Sequence, residues 1–130
     1  MRDRYILNYI LDEQGQPQPC EDILEWGRWF QTHDRVVKQD YVEGERTTAA
    51  HTSISEGHGV GVSTVFLGLD HNYTGHGPPI LWESMVFGTA LDGEMRRYES
   101  KEAAIRGHEE LLAMVSAAYA QETKRKDVHD

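Results

Sequence analysis

Apolar positions along this chain recur with two different periods, and the change of period marks the elements. Tyr5 to Leu11 is apolar and β-prone, and Asp12-Glu13-Gln14-Gly15 reads as a turn after it. Gln16-Pro17-Gln18-Pro19 then holds the chain extended, because each proline disfavours helix in the residue before it. From Glu21 to Thr32 the period becomes helical. Ile23, Trp26 or Gly27, and Phe30 form the stripe expected to be buried, with Trp29 beside it, and Glu21 and Asp22 favour the positive end of the helix dipole.

Alternation takes over next. Val36 to Glu43 predicts a strand closed by Gly44, and Val60 to Leu69 predicts a second. Val60, Val62, Thr64 and Phe66 lie on one face of that second strand, and Ser63, Val65, Leu67 and Leu69 on the other. Two largely apolar faces imply a central strand covered on both sides, or on one side by a partner subunit. Gly68 within it predicts a bulge or a close backbone approach. Between these strands, 45–59 is polar and rich in Thr, Ser and His, and reads as an inserted hairpin or a mobile loop. Ile80 to Phe87 and Glu94 to Glu99 predict two more strands, the last a polar edge carrying Arg96 and Arg97.

Ser100 is an N-cap for a last helix reaching about Gln121. Its buried stripe is Ala104, Ile105, His108, Leu111, Leu112, Val115, Ala118 and Tyr119. Gly107 costs about 1 kcal/mol against Ala in a helix interior, so close packing of helix on sheet is expected at that turn. Strands following one another without helices between them imply an antiparallel sheet. The expected fold is therefore α+β: a three- to four-stranded antiparallel sheet with an N-terminal and a C-terminal helix packed on one face. Residues 1–122 form one domain in this reading, and 123–130 a frayed tail.

Composition narrows the function. The chain has 130 residues, with 13 Lys+Arg against 22 Asp+Glu and a net charge of -9. No apolar run approaches the ~20 residues of a membrane span. The basic residues are scattered, which argues against direct binding of duplex nucleic acid. An acidic chain can instead mimic nucleic acid in another protein's groove. Cys20 is the only cysteine, so neither an internal disulfide nor a Cys-based zinc site can form, and a cytoplasmic setting is the default. Its place near a helix start is one where a thiolate can be stabilised.

Candidate chemistry gathers after the central strand. Asp70, His71, Asn72, Tyr73 and His76 share one long loop that ends at Pro79. His71 and His76, with Glu83 a few residues on, offer carboxylate and imidazole ligands to Zn, Mn, Fe or Ni, although no recognised zinc spacing is present. No other cofactor is expected. His108 falls on the apolar stripe of the last helix, where it can meet Asp70 as a carboxylate–imidazole pair. No serine or threonine stands in a nucleophile elbow. Arg96 and Arg97, with Trp82 or Tyr98 stacking on a base, would suit a small nucleotide at a subunit interface.

The string Ser63-Thr64-Val65-Phe66-Leu67-Gly68-Leu69-Asp70-His71-Asn72 resembles a segment of small proteins of tailed bacteriophages and prophages, as does Gly77-Pro78-Pro79-Ile80-Leu81-Trp82-Glu83-Ser84-Met85-Val86-Phe87. A Trp-Phe helix like Trp26 to Phe30 before the motif and a Gly-His helix like Gly107-His108 after it are similar too, so the resemblance covers about Tyr5 to Val115. The segment from Gly44 to Gly59 is longer here than in those proteins. The resemblance implies a phage accessory protein in the host cytosol and no particular reaction.

Taken together, these readings lead to an expected function. It is a non-enzymatic binding module, homo-oligomeric, that captures a host protein or a small-molecule ligand through the loop and the adjoining strand faces, as an inhibitor or sequestering agent against host defence. The alternatives are a small metal- or His-dependent enzyme built on Asp70, His71 and His76, and an acidic nucleic-acid mimic.

Overall fold

The computed structural model describes residues 7–44 and 59–128. Asp12 makes the first turn. Its carboxylate accepts from the backbone N–H groups of Gln14 and Gln16, and its carbonyl from that of Gly15. The Gln16 N–H, chiefly, holds the Asp12 carboxyl below its ordinary range, as expected for a carboxylate that accepts from backbone donors. The turn folds β1 (Tyr9–Leu11) antiparallel on β2 (Pro17–Pro19), so the Gln-Pro segment is a paired strand as well as an extended one. A two-stranded ribbon consists only of edges, where proline is tolerated. The ribbon joins the end of the main sheet through the Asn8–Leu69 bridge and the Tyr9 N–H to Gly68 carbonyl bond.

Helix α1 (Ile23–Thr32) starts two residues later than its acidic first turn suggests, because Asp22 is the N-cap and accepts from Leu24 and Glu25 N–H. No residue of α1 is fully buried, and Ile23 is 57% exposed, contrary to its place in the expected stripe. The physical reason lies in what α1 packs on. It packs on the three-residue strand β1 and, through Trp29, on Phe66 at the end of β4, so Trp26, Trp29 and Phe30 find cover while Ile23 and Leu24 at its start do not.

Strands β3 (Val36–Gly44), β4 (Gly59–Phe66), β5 (Trp82–Phe87) and β6 (Met95–Tyr98) form an antiparallel meander in chain order. The largely buried strands β4 and β5 are neighbours, registered Phe66 to Trp82, Thr64 to Ser84 and Val62 to Val86. Directly opposed residues share a face. Lys38, Asp40, Val62, Thr64, Phe66, Trp82, Ser84, Val86, Arg96 and Tyr98 therefore lie on one side of the sheet. β4 ends at Phe66, before the expected Leu69. Gly68 takes φ +75, and the Trp26 indole donates to its carbonyl, which is the close backbone approach expected there. The expected insertion of 45–59 lies outside the described residues, apart from Gly59, which opens β4.

Helix α2 (Lys101–Val128) follows the Ser100 cap, whose hydroxyl accepts from Ala103 N–H, and contacts all four strands of the meander. It runs past Gln121. Ala104, His108, Leu111 and Val115 are buried, whereas Ile105 is 38% exposed, because the covered stripe is narrower than expected. Val62, Val86, Leu111 and Val115 make one core cluster, and Tyr9, Phe66, Leu81, Trp82 and Ala104 another. The result is an α+β fold of two antiparallel sheets and two helices.

Gly107 is where helix and sheet meet most closely. A Cβ there would overlap the Tyr98 hydroxyl and ring, closer than any real Cβ contact. Gly107→Ala gains about 1 kcal/mol of helix propensity but overpacks a rigid ring, which typically costs about 1–3 kcal/mol. Urea denaturation is expected to show net destabilisation. The loss should persist in a Tyr98→Phe background, because ring carbons as well as the hydroxyl stand in the way.

Candidate functional site

The loop from Asp70 to Pro79 is built by two side chains. Asp70, 3% exposed, accepts from Asn72 N–H at 2.7 Å and Ile80 N–H at 2.9 Å, and so ties both ends of the loop together. Asn72 spans the inside. Its amide group donates to the His76 and Pro78 carbonyls, and its oxygen accepts from the Thr74 N–H and hydroxyl. Short polar side chains that bond nearby backbone are what hold such a loop without regular structure. The His71 Nδ1–H donates to the Leu69 carbonyl, and its ring lies 6.0 Å from that of Tyr73. Tyr73 is 80% exposed at the rim.

The other candidates lie elsewhere. Trp82 is buried edge-on against Phe66, 5.5 Å between ring centroids. Tyr98 lies beneath Gly107 with its hydroxyl buried and unpartnered. Neither offers a free face to a base. Arg96 pairs with Glu110 and Arg97 with Glu83. His71, His76 and Glu83 do not form a ligand cluster among the described residues. The one group there with ligand atoms within 4.8 Å of one another is Asp40, His108 and Glu109. All three already have protein partners, since Lys38 pairs with Glu109 and His108 with Asp40. Burial pushes the Cys20 thiol up, and Glu25 adds to the effect, so the helix start does not stabilise a thiolate there.

His108 meets Asp40 rather than Asp70. Its Nε2 lies 2.7 Å from Asp40 Oδ2 and its Nδ1 2.7 Å from Thr64 Oγ1, which in turn bonds Ser84 Oγ. The register explains the partner. Asp40 opposes Val62, on the same side as Thr64 and under α2, whereas Asp70 is turned into its own loop. An Asp–His–hydroxyl order resembles a hydrolytic triad, but access runs the wrong way. Thr64, Ser84 and His108 are wholly buried, and the solvent-facing member is the carboxylate. A nucleophile must reach its substrate. The chain of bonds instead satisfies polar groups that the sheet and α2 bury together.

One feature is not visible in the sequence. A cleft of about 610 Å3 opens between the C-terminal end of α1 and strands β3 and β4. Phe30, Val36 and Val65 give it apolar wall, Gln39 and Ser63 lie at the sheet, and the segment Gln31 to Arg35 forms the rim. The residues from Gln31 to Arg35 carry no periodic or motif signal. They become a site only because β3 leaves α1 after a short connection and turns beneath it. No protein family, curated protein or solved structure matches the chain.

Proposed function

We propose that this protein is a non-enzymatic binding module that presents the loop from Asp70 to Pro79 to a protein partner. The setting is the phage or prophage one that the motif resemblance implies, with a host protein in the cytosol as target and the module acting as an inhibitor or sequestering agent. The observation that carries the reading is the contrast within the loop. Its interior is fully braced by Asp70 and Asn72, while Tyr73 stands 80% exposed. A braced loop loses little entropy on binding, and an exposed tyrosine supplies a large amphipathic contact. The burial of the Thr64 and Ser84 hydroxyls and of His108 favours binding over catalysis. Self-association is part of this reading, through the sheet side that carries half-exposed Met85 and Met95. We propose further that α1 belongs through Trp29 to the α2 side of the meander, while its C-terminal end borders the cleft on the other side, where Gln39, Ser63 and Val65 lie. The edge-on contact of Trp29 with Phe66, which shares its side of β4 with Thr64, supports this.

Tyr73→p-benzoylphenylalanine, irradiated in infected host cells, should give one discrete cross-linked species. Adding Asn72→Ala, which unbraces the loop, should abolish it. The same photoreactive group at Glu102, exposed on α2, should give none. Identical adducts from positions 73 and 102 would defeat the proposal.

A further inference from the structure

The cleft beside α1 holds a guanidinium that pairs with no carboxylate among the described residues. Arg35 lies on its rim with its guanidinium 3.7 Å above the Phe30 ring and one N–H bonded to the Phe66 carbonyl. A guanidinium carries five donors, and the carbonyl takes one of them. Among the described residues no carboxylate lies within ion-pair distance of it. Its neighbour in the chain, Asp34, turns an oxygen onto Val36 N–H at 2.9 Å. Burial lowers the Arg35 pKa, with the Asp34 charge opposing the shift in part. A half-buried cation held in place by stacking and one carbonyl is poised for an anion. Next to it lie the apolar surfaces of Phe30, Val36 and Val65, with the Gln39 and Ser63 side chains at the floor. The volume, about 610 Å3, falls within the ~300–1,000 Å3 of small-molecule pockets.

We propose that this cleft is a binding site for a small organic anion with an aromatic or otherwise apolar body. The acid group pairs with the Arg35 guanidinium, and the body lies against Phe30, Val36 and Val65. Gln39 and Ser63 supply hydrogen bonds that orient it. The site is separate from the loop of Asp70 to Pro79 and does not depend on the proposed role of that loop. The net charge of -9 makes the rest of the surface unattractive to anions, so saturable anion binding would report on a local site.

The probes are 8-anilinonaphthalene-1-sulfonate and its neutral counterpart N-phenyl-1-naphthylamine, titrated by fluorescence into the folded full chain. The sulfonate should bind at one saturable site and clearly more tightly than the neutral probe. Amide shifts in 15N correlation spectra should centre on Val36, Gln39, Ser63 and Val65. Arg35→Gln should weaken the sulfonate at least about tenfold, the worth of one lost charge-assisted bond, and leave the neutral probe nearly unchanged. Arg35→Lys should retain most of the preference for the anion. Val65→Trp, which fills the cleft without touching the charge, should exclude both probes. Equal affinity for the two probes on the unmodified protein overturns the proposal without recourse to any variant. Amide shifts centred away from the cleft overturn it as well.

Discussion

Gly61→Ala is expected to be the most damaging single-atom addition to the sheet. Gly61 opposes Tyr41, next to the irregular register between Tyr41 and Glu43, and there β3 presses on β4. A Cβ at Gly61 would overlap the Asp40 carbonyl oxygen and crowd the Tyr41 Cα. These are backbone atoms, so no rotamer change relieves the clash. Either β3 moves away or the ladder breaks. Overpacking of a side-chain core costs about 1–3 kcal/mol, and a backbone clash belongs at or above the upper end of that range. The displacement also falls on the residue whose carboxylate holds His108. Gly61→Ala should therefore shift the urea midpoint strongly and change the His108 ring resonances in the NMR spectrum of whatever remains folded. A change below about 1 kcal/mol, within the ordinary spread for point substitutions, would show that β3 and β4 are not held at this spacing.

His108→Leu is the second large effect. The imidazole is wholly buried and bonded on both nitrogens, to Asp40 and Thr64. Leucine fills much of the space but takes from the buried Thr64 hydroxyl its imidazole partner and leaves it Ser84 alone. Each buried polar group left unsatisfied costs about 1–3 kcal/mol, and removing a charge-assisted bond costs a similar amount. Asp40 is partly exposed and can turn to water, so it contributes less to the loss. An expected total of about 3 kcal/mol should appear in chemical denaturation. The companion changes Thr64→Val and Ser84→Ala in the His108→Leu background should recover part of it, because all three buried polar partners are then replaced together. Absence of recovery would mean that the bonds among Thr64, Ser84 and His108 are not a single unit. Neither variant touches the loop of Asp70 to Pro79, so that loop should keep its cross-linking behaviour wherever the protein stays folded.

Much of the fold is legible along the chain, and the reasons are local. Val60 to Phe66 and Trp82 to Phe87 are β-prone runs bounded by glycine and proline, and a meander pairs neighbours in chain order, so existence and pairing follow together. The Gly107 contact follows from an otherwise unfavourable glycine in a helix. What escapes is set by tertiary placement. The partner of His108 depends on the register of β3, which the irregular steps between Val36 and Lys38 and between Tyr41 and Glu43 offset. No side-chain pattern encodes those steps. Exposure of Ile23 depends on α1 meeting only the three-residue strand β1 and the end of β4, which leaves its first turn uncovered. The candidate site divides in the same way. Asp70 and Asn72 announce a built loop by their residue types, whereas Trp82, Tyr98 and Arg96 belong to the packing beneath α2 and its edge. The cleft at Arg35 arises where a helix end and a strand start meet, and a linear pattern carries no sign of it.

The bond from Asp40 to His108 also bears on how the molecule comes together. Each pairing in the meander joins segments close along the chain, so strands can find one another quickly and with little loop entropy lost. The imidazole that completes the buried polar chain arrives from 68 positions away, on the helix that follows all four strands. Until that helix lands, the hydroxyls of Thr64 and Ser84 have each other and water for company, and the valines beside them stay wet. Docking of the helix is thus the step at which a loosely paired sheet becomes a committed native structure, and side chains at that contact should govern how slowly the finished protein comes apart.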